Sequence, residues 1–102
     1  IIKKCIFVAS MDHKKLKNIR NKLDKLDFKL LNLIKKRTNL VKEVIKIKKY
    51  KKQIVDRKRI KKVLSNIRKN SIKKRIDPKI TKRIWSSMIK TYIEYEKRNF
   101  KK

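Results

Sequence analysis

The chain has 102 residues, with 36 Lys+Arg against 8 Asp+Glu and a formal net charge of +28. That length is one domain, small enough for helix pairing between subunits to help bury a core. One Cys excludes an intrachain disulfide and a multi-cysteine metal site, and fits a reducing cytoplasm. No apolar run approaches the ~20 residues needed to cross a bilayer.

Residues 1–10, IIKKCIFVAS, are short and apolar without signal-peptide architecture. Met11 stands just before the periodic pattern, so 1–10 reads as an extension upstream of a natural start; an ordered strand or arm is the alternative. The spacing predicts a first helix from about Asp12 to Tyr50. Leu16, Ile19, Leu23, Leu26, Leu30, Leu33, Leu40, Val44 and Ile47 recur at alternating three and four, as on a helix with one buried seam. A rod of ~57 Å cannot stand alone in so small a domain, and a second copy is the simplest partner. Lys51 to Val55 reads as a short loop. Asp56 is an N-cap flanked by a Val55–Ile60 hydrophobic staple, opening a second helix to about Lys69. Asn70 to Ile76 is a polar connection, and Asp77-Pro78 starts a third helix that frays towards Phe100. The fold class is all-α, three helices in the order long, short, medium.

The charge calls for caution. Lys occurs 28 times and Ile 16, whereas Ala and Pro occur once each and Gly never. A/T-rich coding produces that bias without any polyanion partner. The lysines are spread around every helix and are not interleaved with aromatics, as a stacking groove would require. Specific nucleic-acid binding is not expected, nor is membrane binding, and lone His13 reads as a surface residue.

Three cations are more informative. Arg37 falls on the apolar seam between Leu33 and Leu40, where a guanidinium is costly unless an anion meets it. Lys48 lies 11 residues on, ~20° around and ~16 Å along the helix, so both can reach the ends of one small anion. Arg20 lies ~25 Å before Arg37 on the same rod. It can serve such a site only in an antiparallel neighbour, which implies a dimer with shared sites. Each cation also has a plainer reading: Arg20 beside Asp24 as an exposed i,i+4 pair, and Lys48 as one snorkelling lysine among many.

Residues 19–48 (IRNKLDKLDFKLLNLIKKRTNLVKEVIKIK), 54–64 (IVDRKRIKKVL) and 76–85 (IDPKITKRIW) closely resemble the all-helical, type II chorismate mutases. The resemblance covers about 16–98, and implies a chorismate mutase-like domain over 11–102 that forms intertwined homodimers. Such enzymes convert dianionic chorismate to prephenate by a Claisen rearrangement, without metal or organic cofactor, in phenylalanine and tyrosine biosynthesis. By position, Arg37 resembles the same-subunit arginine that grips a substrate carboxylate, and Arg20 the one donated across the dimer. Lys48 resembles the lysine that binds the ether oxygen as negative charge grows on it. Asp56 and Arg59 match the start of the family's second helix, with Arg59 supporting the site by pairing with carboxylates.

Two positions depart from the family pattern. Ile60 stands where mutases usually carry a glutamate for the substrate hydroxyl, and the loop between Lys48 and Asp56 is one residue short. With Tyr92, these features resemble the related isochorismate–pyruvate lyases, which release salicylate. Ile60 also suits a simple staple. Glu96, four residues after Tyr92, occupies the position of a glutamine that donates to the ether oxygen, although some mutases use glutamate there. A carboxyl group donates only when protonated, which a cationic chain opposes and burial favours; a surface glutamate near Lys97 is the alternative. The expected activity is therefore chorismate mutase, with isochorismate–pyruvate lyase second and a non-catalytic helical dimer third.

Overall fold

A computed structural model describes the backbone of residues 2–101 and the side chains of 11–101. Cys5 and the other side chains of 1–10 lie outside the described residues. Among the described residues three α-helices follow in order: α1, Ile2–Ile47; α2, Arg57–Lys73; and α3, Pro78–Asn99, with a 3-10 turn at Lys51–Gln53. Among the described residues there is no strand, so the all-α architecture of long, short and medium helices holds.

The boundaries differ from expectation at three points, each with a local cause. α1 begins at Ile2 and not near Asp12; no Gly or Pro between them interrupts the helix. It ends at Ile47 and not Tyr50 because Gln53 Oε1 accepts the backbone N–H groups of Lys49 and Tyr50, at 2.8 and 2.9 Å. α2 continues past Lys69 to Lys73. Ser71, expected in a connection, stays helical by donating its hydroxyl to the Ile67 carbonyl at 2.6 Å.

The chain divides into two units, residues 1–38 and 39–102. The first is the N-terminal part of α1. Every side chain from Met11 to Lys36 is exposed, including the seam residues Leu16, Ile19, Leu23, Leu26, Leu30 and Leu33. The apolar face is present, and within its own unit it has no layer to pack against.

The second unit holds the core. α2 and α3 pack on each other, through half-buried Ile60, Val63, Leu64 and Ile67 on one and Trp85, Met88, Ile89, Tyr92 and Ile93 on the other. Ile54, following the 3-10 turn, is its deepest apolar side chain at 3% exposure. Burying one such residue contributes about 1.5–3 kcal/mol. Asp56 caps α2, its Oδ1 accepting from Arg59 N at 3.0 Å, and Asp77 caps α3 by accepting from Lys79 N at 2.9 Å.

The α2–α3 turn is set by two devices. Ser71 Oγ and Thr81 Oγ1 lie 2.7 Å apart and buried; with the Ser71 proton on Ile67, the serine oxygen is left to accept from Thr81. Arg75 N donates to Ile72 O and Ile76 N to Ser71 O, the paired bonds of a Schellman closure. Arg75 holds φ 57°, a left-handed position usually given to glycine. Holding a side chain there costs about 1–2 kcal/mol, part of which a glycine would return through its freer unfolded state. Arg75→Gly should therefore raise stability in urea unfolding by ~0.5 kcal/mol, and β-branched Arg75→Val should lower it by ~1 kcal/mol or more. Three equal midpoints would mean that the backbone conformation at 75 carries no strain.

Candidate functional site

The centre of the candidate site is an ion pair. Lys48 follows the last residue of α1, and its backbone N–H continues the helical pattern by donating to Val44 O at 3.0 Å. Its Nζ donates to Glu96 Oε1, near the end of α3, at 3.0 Å. The two side chains retain only 19% and 10% of their exposure, and Glu96 as a residue is 7% exposed. Glu96 is thus an internal carboxylate joined to a residue 48 positions away, and not a surface partner of Lys97. In this arrangement it accepts, and the ammonium is held in one place.

Beside the pair lies an open cleft of about 520 Å³, lined by Lys48, Gln53, Val55, Asp56, Arg57 and Lys58. The 3-10 turn and the capped start of α2 shape it. Gln53 closes the turn through the two N–H groups it accepts, and Asp56 is held to the first turn of α2. Lys48 faces both features, so the cleft opens beside the buried cation.

The other expected residues are placed as follows. Arg59 is exposed, and among the described residues its side chain meets no carboxylate within salt-bridge distance. Ile60 is half-buried. Tyr92 is half-buried with its ring edge-on to Tyr95, centroids 6.3 Å apart. Arg20 and Arg37 belong to the first unit, Arg20 exposed and Arg37 half-buried. The second unit thus brings Lys48 together with Glu96, and Lys48 and Asp56 onto one cleft. Gln53, Arg57 and Lys58 were not singled out from the sequence. The signal available for them was their place around the Asp56 cap, and it was hidden by abundant basic neighbours.

Among the described residues no group of three or more His, Cys, Asp or Glu side chains is arranged to hold a metal ion. Among the same described residues no helix is long and apolar enough to cross a membrane. What the arrangement offers is positioned charge: an ammonium held by a carboxylate, with neighbouring cations on the same open cleft.

Comparison with known proteins is consistent with that chemistry. The family model for chorismate mutase type II matches residues 19–97. Searches of curated proteins and of solved structures found no match. The matched span begins on the α1 seam and takes in the ion pair, the cleft, all of α2 and α3 up to Lys97. The chain belongs to the chorismate mutase type II family.

Proposed function

We propose that the protein is a chorismate mutase, converting chorismate to prephenate in the formation of phenylalanine and tyrosine. The observation that carries this reading is the Lys48–Glu96 pair beside an open cleft, within a chain of that family. The rearrangement is intramolecular: the ether C–O bond breaks, a C–C bond forms, and no group has to be taken up from the protein. A site promotes it by holding the folded conformer and by placing positive charge where the ether oxygen becomes negative.

Lys48 supplies that charge in the proposed mechanism. Arg37 grips one substrate carboxylate, and Arg20 of the partner subunit grips the other. The exposed seam on α1 supports such a dimer, because monomers seldom leave so long an apolar stripe in water. Asp56 holds the start of α2 in place beside the cleft, Arg59 supplies further positive charge towards the carboxylates, and Tyr92 is a further substrate-binding residue. Glu96 fixes the Lys48 ammonium, and so the place of its charge beside the ether oxygen.

Ile60 favours a second reading. A missing contact to the substrate hydroxyl costs on the order of 1–3 kcal/mol, ~10–100-fold in rate. That loss weakens a mutase, whereas an isochorismate–pyruvate lyase has no such requirement. The short loop and Tyr92 support the same alternative. Incubation with chorismate and isochorismate separates them: prephenate is expected from the first and no salicylate from the second. Salicylate would identify the lyase, and no turnover of either would leave a non-catalytic helical dimer.

Removing the ammonium should lower turnover ~100-fold or more, the usual scale for a donor aimed at developing charge. Lys48→Ala also strands a buried carboxylate. The Lys48→Ala/Glu96→Ala double variant should therefore keep its helical circular dichroism and remain inactive. Wild-type rates in either variant would remove Lys48 from the mechanism.

Arg20→Ala and Arg37→Ala should each be inactive alone. After co-refolding, heterodimers with one intact site should restore roughly a quarter of wild-type activity. No recovery, or sedimentation as a monomer, would exclude shared sites.

A further inference from the structure

The cleft beside Lys48 contains more positive charge than the proposed chemistry uses. Lys48 is already paired with Glu96 at 3.0 Å. The Asp56 carboxylate is engaged at the start of α2, accepting from Arg59 N. Arg57 and Lys58 complete the cationic wall; both are exposed, and among the described residues no ion pair engages either. With Glu96 set against Lys48 and the Asp56 carboxylate against one of these two cations, the cleft keeps a net positive charge of one, and it lies on the Arg57–Lys58 side. Consecutive on the first turn of α2, they line the same cleft as Lys48.

We propose that Arg57 and Lys58 form an anion-capture vestibule, which takes the first hold of a small dicarboxylate and delivers it to Lys48. The identity of that dicarboxylate, chorismate, rests on the mutase reading above. The vestibule acts before the chemical step. A concave surface of net positive charge raises the local concentration of anions, an effect that weakens as salt screens it. Glu96 gives the hand-over its order: while it holds the Lys48 ammonium, the outer cations are the better partners for a carboxylate. Arg57 and Lys58 are thus positioning residues for binding, distinct from groups that touch the breaking bond.

The test is the Arg57→Gln/Lys58→Gln variant, with Lys69→Gln/Lys73→Gln as a control. The control removes the same charge from the far end of the same helix. The vestibule variant should raise KM for chorismate ~5–10-fold with kcat within about twofold, and flatten the dependence of kcat/KM on salt. The control should leave KM near wild type, and Arg57→Lys should retain the wild-type value, because capture depends on charge. A second readout needs no turnover: malonate, an unreactive dicarboxylate, is titrated into labelled protein and followed at the backbone amides of residues 53–58. Saturable shifts are expected in the wild type at low salt, and several-fold weaker binding in the vestibule variant. Malonate binding of that pattern without turnover of chorismate would sink the mutase reading and leave the vestibule standing. Unchanged KM and salt dependence, equal effects in the control, or no malonate shifts in the wild type would each overturn the proposal.

Discussion

An ammonium and a carboxylate 3.0 Å apart, both largely removed from water, join the end of α1 to the last part of α3. A buried pair is a poor source of net stability, since desolvation consumes much of the Coulombic gain. Its effect is positional. Lys48 would otherwise be a flexible chain among 28 lysines, free to follow solvent. Glu96 withdraws it from that population and fixes where its charge lies. The proposed chemistry, the hand-over from Arg57 and Lys58, and the use of Asp56 at the cleft all refer to that fixed point.

The surrounding backbone is arranged to hold the position with few resources. The chain has no glycine and one proline, so its turns rely on side chains. Gln53 ends α1 by taking two N–H groups, Asp56 and Asp77 begin the next helices, and Ser71 and Thr81 meet between α2 and α3. Arg75 occupies a left-handed position that a less constrained composition would give to glycine. Fully buried apolar side chains are scarce, with Ile54 the deepest of the described residues. Short polar contacts therefore carry an unusual share of the specification of this small unit.

The two units differ in what they bury. Residues 39–102 enclose the ion pair and pack α2 on α3, while residues 11–36 keep an apolar seam exposed along α1. The seam is chemically a core face, which is why a second copy of this chain is the natural occupant in the proposed enzyme. Positive charge is likewise uneven in consequence. Most lysines sit on solvated faces where water and salt screen them. Arg57 and Lys58 differ by lying at a concavity, beside a cation that is already balanced.

Helical class, the order of the three helices, both aspartate caps and the family were all legible in the sequence. They depend on local rules: a three-and-four periodicity, a short polar side chain before a helix, and a string of residues at fixed spacing. The helix ends at Ile47 and Lys73 were less legible, because Gln53 and Ser71 decide them through bonds that periodicity does not register. Glu96 could be read either as a surface residue or as a site residue from spacing alone. Only the tertiary fold, which brings the residue after α1 to α3, made it the partner of Lys48, since that contact spans 48 positions. The cleft and its outer cations belong to the same category: Arg57 and Lys58 look like any other lysine-rich stretch until the turn before them creates a concave surface.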